Sequence, residues 1–181
     1  MIKIFVVEDE KDIANLVTYN LEKEGYKTKA FPTGEEAMQN IKSFKPDMVI
    51  LDLMLPGMQG IDVLRYMKED FNLKTVPVVI ISAKSSETDK ILGLEMGADD
   101  YLIKPFSVKE LISRVKAIFR RLMPANVPSL LECGDLSINF DSIKVKVKGK
   151  DVHLSPYEYK ILAFLAQHPG KTFSRDTLLN Q

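Results

Sequence analysis

Met48-Val49-Ile50-Leu51-Asp52-Leu53-Met54-Leu55-Pro56-Gly57 is the stretch that decides the fold. Its opening run is apolar and partly β-branched, with no polar alternation. It reads as a strand covered on both faces, as in a parallel sheet. The run reaches a single carboxylate and then a Pro-Gly turn. Three similar runs stand elsewhere: residues 2–7 lead into Glu8-Asp9, residues 76–82 close on the Ser82 hydroxyl, and residues 100–104 close on Lys104 before Pro105. Paired in parallel, these strands bring Glu8, Asp9, Asp52 and Lys104 to one edge of a sheet. Three carboxylates beside one ammonium suit a hard divalent cation and a phosphoryl group.

Segments with a helical period separate the strands. Ile13, Leu16, Val17 and Leu21 share one face and close at Gly25. Thr33 stands three before Glu36 as a capping box, ahead of Ala37, Met38 and Ile41. Ser107, three before Glu110, opens a strongly amphipathic helix through Leu111, Ile112, Val115, Ile118, Phe119 and Leu122. The alternation predicts an α/β domain over residues 1–122, a flavodoxin-like (βα)5 doubly wound parallel sheet. Ligands of such sheets bind beyond the carboxyl ends of the strands, where strand order reverses, and the acidic cluster falls there.

Bulk properties bound the rest. The chain has 181 residues, 45% apolar and 28% charged, enough for a core and a solvated surface. Its 25 basic and 25 acidic residues cancel, so no global basic field advertises nucleic acid. Cys133 is the single cysteine, which excludes an intramolecular disulfide and suits a reducing cytoplasm. No secretion signal opens the chain, and no apolar run approaches the roughly 20 residues of a membrane helix. A soluble cytoplasmic protein with no membrane partner is expected.

Residues 123–129, with prolines at Pro124 and Pro128, read as a linker. Beyond it the period changes to two. Leu136, Ile138 and Phe140 alternate with polar residues, as do Ile143, Val145 and Val147, and Val152 and Leu154 follow the Gly149-Lys150 turn. This predicts an antiparallel meander. Ser155-Pro156-Tyr157-Glu158 is a capping box with proline at N1, and Leu154 and Tyr159 are placed to staple it. The helix runs through Ile161, Leu162 and Leu165 to His168-Pro169-Gly170, and Ser174 looks like another helix start.

The site chemistry follows from residue types. Clustered carboxylates repel, which raises a pKa or recruits a cation. The two histidines, His153 and His168, lie in the second segment, so an all-oxygen site favours Mg²⁺. Asp52, before a sharp turn, is the best nucleophile, and carboxylates do form aspartyl phosphate. Lys104 and the Ser82 hydroxyl can neutralise and hold phosphoryl oxygens.

At these residues the chain resembles the receiver domain of bacterial two-component response regulators. The motifs are Glu8-Asp9, Asp52 in Leu51-Asp52-Leu53-Met54-Leu55-Pro56-Gly57-Met58, Ser82-Ala83 and Lys104-Pro105-Phe106. Gly93-Leu94-Glu95-Met96-Gly97-Ala98-Asp99-Asp100-Tyr101 and Arg120-Arg121 narrow the resemblance to the OmpR/PhoB subfamily. It implies Mg²⁺ held by Asp9, Asp52 and the Met54 carbonyl, with Glu8 acting through water. It implies phosphoryl transfer from a sensor histidine kinase to Asp52 and a cis Lys104-Pro105 bond. It further implies a switch in which Ser82, followed by Ala83, moves toward the phosphoryl group while Tyr101 turns inward. Homodimerisation on phosphorylation would use Lys90, Asp99, Asp100, Glu110, Arg114 and Arg121.

Residues 130–181 resemble the start of the subfamily's winged helix-turn-helix domain, without its recognition helix and wing. DNA binding is therefore expected of the full-length parent but not, specifically, of this chain, whose second domain reads as truncated. The helix after Ser155 is expected to lack packing partners. Lys144, Lys146 and Lys148 read as edge protection of a sheet rather than a DNA contact. Two other functions compete: a stand-alone receiver acting as a phosphate sink, and an aspartate-nucleophile phosphatase. The phosphatase needs a second Asp two residues after the nucleophile, where Met54 stands.

Overall fold

The structure is a computed structural model and describes residues 2–121, 130–140 and 143–179. The predicted linker at 123–129, Leu122 and the Asp141-Ser142 turn lie outside the described residues. The chain divides into two compact units, one over Ile2–Val115 and one beginning at Lys116.

In the first unit β1 (Lys3–Val7), β2 (Lys27–Phe31), β3 (Met48–Asp52), β4 (Val78–Ser82) and β5 (Asp100–Ile103) form one parallel sheet in the order β2-β1-β3-β4-β5. Helices α1 (Lys11–Lys23), α2 (Gly34–Phe44), α3 (Gly60–Glu69), α4 (Glu87–Glu95) and α5 (Val108–Arg121) follow the strands in turn. Every residue of β3 and β4 is buried, which is why their sequences show no alternation. The order reverses between β1 and β3, and Val7 pairs with Leu51, so Glu8 follows beside Asp52. Phe5 packs on Phe31 and Phe44 at 4.6 and 4.8 Å between ring centres, within the core over one face. The Thr33 hydroxyl caps α2 through the Glu36 N–H at 3.2 Å, as its sequence requires.

Some elements depart from the sequence reading. β2 is not among the four strand runs: Lys27-Thr28-Lys29-Ala30-Phe31 lies at the sheet edge, and of its residues Phe31 alone is buried. Leu16, placed on the inner face of α1, is 49% exposed, and Ala14 is buried with Val17 and Leu21 instead. α3 owes its start to a close approach. A Cβ at Gly60 would stand 1.9 Å from the Asp52 carbonyl oxygen, so the helix can begin there only without a side chain. The Gly60 N–H donates to the Leu53 carbonyl at 3.1 Å, tying α3 to the end of β3.

The second unit contains an antiparallel sheet of β6 (Leu130–Cys133), β7 (Leu136–Asn139), β8 (Lys144–Val147) and β9 (Lys150–Val152), followed by α6 (Pro156–Ala166) and the short α7 (Arg175–Leu179). The predicted meander is present, with β6 added before it. The capping box is complete: the Glu158 N–H donates to the Ser155 hydroxyl, and the Ser155 N–H donates to Glu158 Oε2 at 2.8 Å. One expectation is corrected. α6 does not lack packing partners, because Tyr159 and Ala163 are buried in one cluster with Ile138, Phe140 and Val145. The Tyr159 hydroxyl also donates to the Asn139 carbonyl at 3.3 Å. The sheet offers α6 an apolar face of its own, which the strand alternation had already encoded. Among the described residues no helix is long and apolar enough to cross a membrane.

Candidate functional site

The carboxyl ends of β1, β3 and β5 carry the predicted acids and lysine to one place. Lys104 Nζ lies 2.6 Å from Asp52 Oδ2, 2.7 Å from Glu8 Oε1 and 3.2 Å from Glu10 Oε1. The side chains of Glu8, Asp52 and Lys104 are 0%, 4% and 10% exposed, so these are desolvated ion pairs rather than surface ones. The Lys104-Pro105 peptide bond is cis.

Electrostatics follow from burial. Desolvation raises the Glu8 pKa, the Asp52 charge raises it further, and Lys104 opposes both. Burial alone would lower the Lys104 pKa. Its hydrogen bonds to Asp52 and Glu8 outweigh that, and the ammonium is held above its ordinary range. Lysine is therefore a fixed charge at this site.

Glu8, Asp9 and Asp52 each offer one carboxylate oxygen, and these oxygens lie within 4.8 Å of one another. Glu8 is buried and Asp9 exposed. Glu8 Oε2 is buried with no hydrogen-bond partner among the described residues, which is the condition a cation or its water relieves. The hard oxygen donors fit a Mg²⁺-type ion. The Met54 N–H donates to Asp52 Oδ1 at 2.9 Å, so the turn after β3 holds the carboxylate on the side opposite its lysine bond. Met54 itself is 53% exposed.

Ser82, at the end of β4, is fully buried, and its Oγ accepts from the Lys84 N–H at 3.3 Å. Tyr101 is turned inward: the residue is 8% exposed, and its hydroxyl donates to the Lys84 carbonyl at 2.9 Å. Burial raises the Tyr101 pKa, and the Ser82 hydrogen bond opposes it. The two sides of the Lys84 residue thus touch Ser82 and Tyr101 at once, while Ala83 between Ser82 and Lys84 is exposed.

The six charges assigned to a dimer surface do not come to the acidic site. Arg114 bridges Asp100, at 2.9 Å to each carboxylate oxygen, and Glu110, at 2.8 Å. Asp99 accepts from the Val78 N–H at 2.8 Å and pairs with Lys68 at 3.6 Å. Lys90 lies half-buried on α4, and Arg121 is exposed on the last turn of α5.

Sequence reasoning missed Glu10 and the Lys84 backbone. Glu10 follows Glu8-Asp9 directly, a third acid in a row, and that adjacency was a usable signal. No residue type announces a role for the Lys84 peptide, because any residue has an N–H and a carbonyl.

Comparison with known proteins gives the family of both units. Residues 4–116 match the response regulator receiver domain, and residues 149–181 match the C-terminal domain of transcriptional regulatory proteins. The phosphate regulon transcriptional regulatory protein PhoB of Rhizobium meliloti is 40% identical over 178 residues, 98% of this chain and 78% of that protein. The crystal structure of response regulator DrrB of Thermotoga maritima, an OmpR/PhoB homologue, is 36% identical, with a TM-score of 0.61 over 100% of this chain and 79% of that one. The BeF3-activated receiver domain of Klebsiella pneumoniae RstA is 34% identical, with a TM-score of 0.59 over 64% of this chain and 96% of that one. A receiver match over most of the chain, continuing into a transcriptional-regulator domain, places this protein among the two-component response regulators of the OmpR/PhoB type.

Proposed function

We propose that this chain is a phosphorylation-driven switch whose acceptor is Asp52. The observation that carries the reading is the buried Asp52 carboxylate, 2.6 Å from Lys104 Nζ beside the Glu8-Asp9 pair. A sensor histidine kinase supplies the phosphoryl group from a phosphohistidine. An Asp52 oxygen attacks phosphorus, a P–O bond forms as the P–N bond breaks, and the leaving imidazole nitrogen takes up a proton from solvent. Asp9, Asp52, the Met54 carbonyl and, through water, Glu8 would hold Mg²⁺. When bound, that ion supplies neutralisation of the developing oxygen charge.

The chain's own residues do the remainder. Lys104 is already charged on Asp52 and transfers its hydrogen bonding to phosphoryl oxygens as they arrive. Ser82 gives up the Lys84 N–H to donate its hydroxyl to the same group, with Ala83 moving alongside. Tyr101 keeps the space behind Ser82. Met54 offers no acid to speed hydrolysis, so the phosphoryl group persists and the protein acts as a regulator rather than a phosphatase. The transcriptional-regulator match argues for a DNA output in the whole protein over a phosphate sink.

In the phosphorylated state a homodimer forms through Lys90, Asp99, Asp100, Glu110, Arg114 and Arg121, and the bridges Arg114 makes within one chain exchange for partners across the interface. The domains run over residues 1–122 and 130–181 with the linker between. The working compartment is the cytoplasm, where exposed Cys133 stays reduced.

Incubation with a small acyl phosphate and Mg²⁺ tests the proposal. One phosphoryl group per chain is expected by intact mass, lost in Asp52→Asn, with a dimer appearing in sedimentation. A phosphoryl group that survives Asp52→Asn, or rapid multiple turnover of the donor, would sink it.

A further inference from the structure

Tyr101 needs room to lie inward, and the room comes from α4. Gly93 is buried on a helix whose neighbouring large residues, Ile91, Leu92 and Leu94, are each close to half exposed. A Cβ built at Gly93 would stand 2.8 Å from Ile80 Cδ1 and 3.3 Å from both Cδ2 and Cε2 of the Tyr101 ring. Ile80 is fully buried in the sheet, where close packing opposes a shift of its Cδ1. The ring is the neighbour that can leave, because outward rotation takes it to solvent. Gly93 has no left-handed backbone to excuse it, and glycine within a helix costs stability relative to alanine. A helix-weakening residue at the one buried position facing the ring calls for a packing reason.

We propose that Gly93 is a positioning residue of the switch: its missing side chain is the seat for the inward Tyr101 ring, and residue size at 93 sets how far Tyr101 can turn in. The inference deepens the switch reading and rests on it for its consequence at the dimer surface. The seat itself is independent of phosphorylation. A side chain at 93 excludes the ring from its pocket, breaks the hydroxyl bond to the Lys84 carbonyl and uncouples Ser82 from the α4 surface. Phosphoryl transfer to Asp52 does not pass through Gly93 and should continue.

The experiment uses the full chain with Gly93→Ala, Gly93→Leu, Tyr101→Ala and the Gly93→Leu/Tyr101→Ala double variant. Fluorotyrosine labelling, with the Tyr101 resonance assigned by Tyr101→Phe, reports ring burial by ¹⁹F NMR without any phosphodonor. Gly93→Leu should move that resonance to its solvent-exposed position, and Gly93→Ala should move it part of the way. With Mg²⁺ and an acyl phosphate, both should still gain one phosphoryl group. Dimerisation of Gly93→Leu should weaken roughly tenfold, and the same substitution in Tyr101→Ala should have little further effect.

A Tyr101 resonance that stays buried in Gly93→Leu overturns the proposal. So does an equal loss of dimerisation with and without the Tyr101 ring, since residue 93 would then act through α4 alone. If Gly93→Leu does not fold, Gly93→Ala decides by the same resonance. If the unsubstituted chain takes no phosphoryl group, the switch reading fails while the fluorine measurement still decides the seat.

Discussion

Lys104 holds two buried carboxylates together, and its removal should be costly. Lys104→Met leaves Glu8 and Asp52 desolvated and mutually repelling, without the ammonium now 2.7 and 2.6 Å away. Breaking one partner out of a buried ion pair costs on the order of 3–5 kcal/mol, and a denaturant midpoint measured in chelator should fall accordingly. Millimolar Mg²⁺ should restore part of that loss in Lys104→Met and little in a Lys104→Met/Asp52→Asn double variant, because Asp52 is one of the three clustered carboxylates that would hold the ion. An unchanged midpoint for Lys104→Met would refute the desolvated pair.

A second residue links to pH. Burial, with the Glu24 charge adding, pushes the Tyr26 phenol up to about 12. A raised native value means the folded state keeps a proton that the unfolded chain loses near pH 10. The stabilisation is therefore complete below about pH 10 and is lost as pH rises toward 12. The stability difference between the wild type and Tyr26→Phe should narrow across that window, and the tyrosine ionisation absorbance should lose its latest-titrating component in Tyr26→Phe.

Elements differ in how much of themselves they write into the sequence. β3 and β4 are buried throughout, so an unbroken apolar run was enough to find them. The caps of α2 and α6 rest on bonds between residues three apart, which sequence spacing displays directly. β2 is an edge strand whose lysines face solvent, and its pairing to β1 comes from the neighbouring backbone rather than from its own side chains. α4 buries a glycine instead of an apolar stripe, so it has little hydrophobic period to detect. Because α6 is capped by Ser155 and packed through Tyr159 and Ala163, Ser155→Ala should cost about 1 kcal/mol. Faster hydrogen exchange at the Glu158 and Tyr159 amides would report it, and unchanged exchange there would count against the capping role.

At the scale of the whole molecule, the acidic site and the switch residues lie within Ile2–Val115, with α5 running on to Arg121. A fragment of residues 1–121 should therefore fold and accept one phosphoryl group on Asp52 with Mg²⁺. Its far-ultraviolet circular dichroism and intact mass would check this, and an unfolded fragment would show that the second unit is needed. The sequence by itself determined the sheet type, the acids and lysine at the strand ends, the Thr33 cap of α2 and the capping box of α6. Those features are local: they depend on burial period and on bonds spanning a few residues. Tertiary structure alone decided that Glu10 joins Lys104, that the Lys84 peptide links Ser82 to Tyr101, that Gly93 leaves room for the Tyr101 ring and that α6 finds a core. Each of these is a contact between segments distant in sequence, or is made by backbone atoms common to every residue, so a local pattern could supply a candidate residue or face but not its partner.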